Sequence, residues 1–194
     1  SDLMNVTADA TLPGALGTFG FDDEGTPAQR VDSVKNGIWV GVLSGRDSAA
    51  MAGLPPGGMV RGDGFNRLPM VRMTNVGLLP GEGTLEDIIA DTEDGVYMAT
   101  NRSWSIDDRR LNFQFGCEIA WEVKNGELGR MLKNPTYTGI TPQFRGTLDR
   151  LARETEWVHG GTPNSGIGQP GQVAHTGHSA SPGRFSNVRV GVKG

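Results

Sequence analysis

Few side chains in this sequence are equipped for chemistry, and most of them stand alone. Cys117 is the one cysteine among 194 residues. A thiol acts as nucleophile or metal ligand through its thiolate, which requires an accessible, electropositive setting. Phe113, Phe115, Cys117, Ile119, Trp121 and Val123 instead share one strand parity, which assigns Cys117 a packing role in an apolar face. His175 and His178 are three residues apart, a spacing that chelates metal on a helix. Gly177, Ser179 and Pro182 argue against a helix there, so these two and His159 read as structural or solvated. Asp22-Asp23-Glu24 sets three carboxylates side by side without the alternating spacing of a calcium loop, and reads as a solvated turn. No HExxH-like helix, Walker loop, GxSxG elbow or dinucleotide fingerprint occurs. What remains is the glycine-dense stretch 161–172, where backbone can approach a ligand or another chain closely, although composition alone favours a plain surface loop.

The elements that must position these residues are organised around residues 111–133. Gln114, Glu118, Glu122 and Lys124 alternate with the apolar run, the period of a strand with one wet face. Asn125-Gly126 supplies the two positive-φ residues of a type I′ turn. A two-residue turn sets Lys124 opposite Glu127 and Glu118 opposite Lys133 outside, with Val123 opposite Leu128 and Ile119 opposite Leu132 inside. Asn36-Gly37 marks a second hairpin within residues 31–43. Further strands are expected at 18–21, 70–76, 96–103 and 185–192, and loops at 53–66 and 162–182. Thr84 caps a helix over residues 84–91, and Thr141-Pro142 opens another over 142–153, with Phe144, Leu148 and Leu151 on its buried side. Residues 48–52 add one helical turn. The expected fold is mainly β (α+β): an antiparallel, sheet-rich single domain over residues 1–194, sandwich or barrel-like, with two short helices.

Composition excludes several classes of function. Thirty glycines and eleven prolines, with 36% apolar residues, describe a loop-rich β protein rather than a collagen or a disordered chain. A net charge of −4 without a basic run lacks the footprint of a nucleic-acid binder. One cysteine, no signal peptide and no long apolar run suggest a soluble cytoplasmic protein without membrane contact.

Several separated motifs resemble, in order, those of one family. Residues 19–27 (FGFDDEGTP), Arg72-Met73-Thr74-Asn75, residues 112–116 (NFQFG), 133–137 (KNPTY) and Gly168-Gln169-Pro170 are similar to the carboxyl-terminal half of the TldD/PmbA metallopeptidases, also called modulators of DNA gyrase. The resemblance spans residues 5–191. It implies a two-domain zinc peptidase whose amino-terminal half carries an HExxxH helix, with two histidine ligands and a catalytic glutamate. It further implies a peptide substrate and a homo- or heterodimer in which this domain contributes to assembly and to the substrate cleft. In TldD-like members a cysteine placed like Ser165 completes the metal site.

The sequence departs from that pattern at both ends of the zinc site, since it contains no HExxxH and carries serine at 165. A thiolate is a good zinc ligand near neutral pH and a neutral hydroxyl is a weak one. Zinc is therefore expected in a full-length parent and not in this chain alone, which is expected to be inactive by itself. From a different class of function, the same domain suits a non-catalytic assembly or peptide-binding module whose strand edges pair with a partner.

Overall fold

In the computed structural model, which describes residues 1–192, Asn125 and Gly126 turn the chain at φ of 50° and 81° between two paired strands. Asn36 and Gly37 do the same at 49° and 75°. In chain order the elements are β1 (Val6–Asp9), β2 (Arg30–Lys35), β3 (Ile38–Trp39), α1 (Arg46–Ala52), β4 (Val60–Arg61), β5 (Met70–Val71), β6 (Asn75–Leu78) and α2 (Leu85–Ala90). They continue as β7 (Asp94–Ile106), β8 (Asn112–Lys124), β9 (Glu127–Leu132), β10 (Pro135–Ile140), α3 (Thr141–Gly146), β11 (Leu148–Leu151), β12 (Val158–Ile167), β13 (Gln172–Ala180), β14 (Gly183–Phe185) and β15 (Arg189–Val192). The fold is sheet-rich α+β, as expected, but its sheets are open and none closes into a barrel.

The chain divides into two compact units. One comprises Ser1, Gly81–Glu156 and the residues from Pro182 onward. Its sheet runs β15-β10-β8-β7, and β9 takes the far half of the β8 edge that β10 leaves open. The apolar parity of β8 holds at Phe113, Cys117 and Val123, which are buried, and at Gln114, Glu118 and Lys124, which face solvent, but Gly116 and Ala120 on the expected wet face are buried as well. Phe113 stacks on Phe115 at 4.9 Å and meets Phe144 edge-on at 5.1 Å, and Phe144 stacks on Phe185 at 4.2 Å. These rings join the sheet to α3 and β14. Thr84 caps α2 as expected, accepting from the Asp87 backbone N–H while the Asp87 carboxylate accepts from the Thr84 N–H.

Other expectations in this unit are corrected. Lys124 faces Glu127 and Val123 faces Leu128, but a bulge between Trp121 and Val123 brings Leu132 opposite Ala120. The Ile119–Leu132 and Glu118–Lys133 pairings are therefore not made. Leu128, expected inside, stays exposed on the edge strand. The helix expected over 142–153 ends at Gly146, and residues 148–151 pair with β14 instead. Leu148 and Leu151 are both buried because a bulge between Leu148 and Arg150 inserts a residue, so their three-residue spacing imitates a helix face.

The second unit, Asp2–Pro80 with Trp157–Ser181, carries the sheet β12-β13-β6-β1-β2-β3, in which β13 and β6 run parallel and every other ladder is antiparallel. The loop expected over 162–182 is mostly the β12–β13 hairpin. Its buried residues Gln172 and Thr176, on one face, and Ser179, on the other, are all polar, so the strand leaves no hydrophobic alternation to read. The strand expected over 70–76 breaks into β5 and β6. The loop expected over 53–66 contains β4, paired with β5, and Met59 and Val60 are buried. The short strand expected at 18–21 is reduced to a single bridge between Phe21 and Pro27. A third helix, α1, ends on left-handed Gly53.

Candidate functional site

Ser165 lies on β12, the exposed edge strand of its sheet, just past a bulge that separates it from Thr162, and faces Ala174 of β13. It is half-buried. Its main-chain carbonyl accepts from the guanidinium Nη2 of Arg72. The second strand of the hairpin is held similarly: Arg61 Nη1 donates to the His175 carbonyl at 2.7 Å, and Arg61 Nη2 donates to the Met73 carbonyl. The two arginines come from the β4–β5 ribbon, where Val60 faces Val71 and the Arg72 N–H donates to the Met59 carbonyl at 2.8 Å. A short polar ribbon thus grips both strands of the hairpin at the level of position 165.

The clamp is electrostatically unusual. Arg72 is 3% exposed, and among the described residues neither guanidinium has a carboxylate within 4 Å. Burial, followed by the charge of Arg72, pulls the Arg61 guanidinium below its ordinary pKa against the opposing effect of Asp23. Burial does the same to Arg72 against Asp63. Both remain cations, because an arginine stays charged under any ordinary condition. Arg61 Nε, Arg72 Nη1 and Thr74 Oγ1 are buried without a hydrogen-bond partner. Such orphans are rare in folded proteins, and here all three belong to the clamp and its continuation.

Asn75 completes the support. Its Oδ1 accepts from the Gly17 N–H at 2.7 Å, and its Nδ2 donates to the Asp9 carbonyl at 2.7 Å and to Thr18 Oγ1 at 2.9 Å. Gly177 lies so close that a Cβ there would stand 2.1 Å from Asn75 Oδ1. Beside the hairpin opens a cavity of about 370 Å³, bounded by Phe19, Phe21, Arg61, Asp63, Pro163 and His175. Arg61 lies over the Phe19 ring, 5.4 Å from its centre.

The acidic run is scaffold rather than a solvated turn. Asp22 is buried and accepts from the N–H groups of Glu24, Thr26 and Val60. Asp23 accepts from the Gly62 N–H at 2.6 Å, and Glu24 from the Arg46 N–H at the start of α1 at 2.7 Å. His175 and His178 share a strand and differ by an odd number, so they occupy opposite faces of β13. His159 Nδ1 is 2.9 Å from Ser179 Oγ, and its ring packs edge-on against Trp157. Cys117 is buried with its Sγ 3.7 Å from Met98 Sδ, at the wall of a separate cavity of about 880 Å³ in the other unit; burial pushes its thiol pKa up.

No group of three or more His, Cys, Asp or Glu side chains converges among the described residues. Ser165 contributes one neutral hydroxyl, so the residues present do not by themselves fit a zinc ion, which takes three or four protein donors. The arginine clamp was not legible as a functional feature. Its one signal is that Arg72 and Thr74 interrupt a parity otherwise occupied by Met70 and Val76.

A family model described as the PmbA/TldA metallopeptidase C-terminal domain matches residues 1–190. A metalloprotease of Methanocaldococcus jannaschii is 31% identical over 156 residues, covering 80% of this chain and 34% of its own length. A metalloprotease TldD homolog of Buchnera aphidicola is 28% identical over 192 residues, covering 98% of this chain and 39% of its own. The crystal structure of TldE from Thermococcus kodakarensis superposes with a TM-score of 0.77 at 19% identity, over 98% of this chain and 40% of that one. A Thermotoga maritima structure described as a candidate modulator of a DNA gyrase gives 0.76 at 18% identity, with the same coverage. The chain spans about two-fifths or less of the length of these relatives. The match of the family model over nearly every residue establishes that the chain belongs to the PmbA/TldA metallopeptidase family and represents its C-terminal domain.

Proposed function

We propose that this domain is the cleft-forming and metal-completing half of a TldD-like zinc metallopeptidase, with position 165 presenting the third protein donor to an ion held mainly by an amino-terminal half. The observation that carries this reading is the placement of Ser165: half-buried on an exposed edge strand, with its peptide gripped by a buried arginine and a cavity alongside. A free edge offers unpaired N–H and C=O groups that an extended peptide can take up as an added strand, which suits a peptide substrate. The names of the relatives support a metal-dependent peptidase. On this reading the chain alone is inactive and binds zinc weakly, because position 165 supplies one donor of the three or four that a zinc ion takes.

The same reading makes the protein a homo- or heterodimer with a family member, working in the cytoplasm without nucleic acid or membrane. The acidic balance supports the former exclusion. No helix among the described residues is long and apolar enough to cross a membrane. The test is peptide hydrolysis by this chain alone and joined to its upstream half. Activity confined to the joined protein is the expected result, and hydrolysis by the chain alone overturns it. The exposed β12 edge also favours a second reading, a peptide-binding module without catalysis, in which the joined protein binds extended peptides and leaves them intact.

A further inference from the structure

We infer that the cavity beside the β12–β13 hairpin is a subsite for a basic side chain, lysine or arginine, of the peptide that this domain binds. This deepens the reading of the domain as a cleft wall and rests on it, but it names a substrate class from residues that take no part in the metal site. The cavity, about 370 Å³, lies near the lower end of the size range of ligand pockets and has room for one long side chain. Its apolar walls are Phe19, Phe21, Pro163 and Val173, and Phe21 leaves 67% of its surface exposed. Walls of this kind suit the aliphatic stem of lysine or arginine, whose charged head stays at the wet mouth.

Two carboxylates set the charge of that mouth. Asp23 and Asp63 both line the cavity, and both are exposed. Each accepts from a main-chain N–H, Asp23 from Gly62 at 2.6 Å and Asp63 from Val173 at 3.2 Å, which fixes its place in the lining. Among the described residues neither has a Lys, Arg or His nitrogen within 4 Å. The one guanidinium in the lining, that of Arg61, is spent on main chain: Nη1 and Nη2 donate to the carbonyls of His175 and Met73, and Nε is buried. Arg72 is buried and does not line the cavity. Two exposed carboxylates against one inward cation favour a cationic ligand and disfavour an anionic one. An exposed ion pair is worth up to about fivefold in affinity, so the two carboxylates together favour a cation about fivefold to tenfold at low salt.

The experiment measures, by fluorescence anisotropy, binding of a labelled extended peptide, acetylated and amidated at its ends, to the full chain at about pH 8, where an ordinary imidazole is neutral. No metal is added and no hydrolysis is read, so the outcome is independent of the zinc site. With lysine or arginine at its central position the peptide is expected to bind about fivefold tighter or more than with norleucine, and with glutamate weakest. Asp23→Asn with Asp63→Asn keeps a side-chain oxygen for each main-chain N–H and is expected to bring the lysine peptide down to the norleucine one. Equal affinity for the lysine and norleucine peptides in the parent chain overturns the inference and leaves the peptide-binding reading standing. Binding of neither peptide overturns both. A lysine preference that survives in the folded double variant also overturns the inference. If that variant does not fold, the lysine and norleucine comparison in the parent chain decides alone. An unblocked norleucine peptide that binds as tightly as the blocked lysine peptide assigns the cavity to an amino terminus and overturns the side-chain subsite.

Discussion

Arg72 and Ser165 are 93 positions apart in sequence, and the guanidinium of the first donates to the main-chain carbonyl of the second. This bond couples the β4–β5 ribbon to the edge strand of the sheet. Whatever residue 165 does, it does from a peptide whose orientation is set by a buried cation.

The hub beneath this clamp is Asn75, and it tolerates no side chain at Gly177. Gly177→Ala is predicted to force Asn75 away from Gly17 and Asp9 and to cost about 1–3 kcal/mol by overpacking. Urea unfolding measures this as a lower midpoint at unchanged slope. An unchanged midpoint would show that the sheet relaxes around the methyl group.

Cys117 makes a prediction in the other unit. Its buried thiol, with a raised pKa, should react with a water-soluble maleimide only at the rate of local opening. Cys117→Ala should cost on the order of 1 kcal/mol through a small cavity. Rapid, complete labelling of the native protein contradicts this assignment.

Acid should loosen the β11–β14 ribbon. Burial alone would raise the Asp149 carboxyl, but the Ser186 hydroxyl and the Arg184 guanidinium, whose Nε lies at 2.7 Å, outweigh it and hold the pKa below the ordinary value. A folded-state pKa below the unfolded one adds stability that is fully present above about pH 4 and is lost as pH falls through the folded value. Asp149→Asn is therefore predicted to flatten the acid limb of the stability profile below pH 4 while lowering stability at pH 7. Parallel acid limbs for the two proteins would refute the coupling.

How much of this was legible in the sequence follows from which residues announce their burial. The β8 strand and its Asn125-Gly126 turn were readable because apolar and charged residues alternate, and the Thr84 cap because its partner Asp87 is local. The β12–β13 hairpin was not, because the residues that β13 buries, Gln172 and Thr176 on one face and Ser179 on the other, are polar. Residues 148–151 were misread because a bulge gives two strand leucines the spacing of a helix. The position of Ser165 came from a family resemblance. Its surroundings, the buried Arg72 and the half-buried Arg61 with their long-range contacts, follow no local rule.

The central claim is that position 165 donates to a metal shared with an upstream half, and zinc titration of the joined protein tests it most directly. The account predicts weak binding by this chain alone, a stoichiometric site in the joined protein, and at least tenfold tighter zinc after Ser165→Cys, because a thiolate replaces a neutral hydroxyl. Equal affinity of the joined Ser165 and Ser165→Cys proteins would remove position 165 from the site. Tight stoichiometric zinc in this chain alone would contradict the shared site altogether.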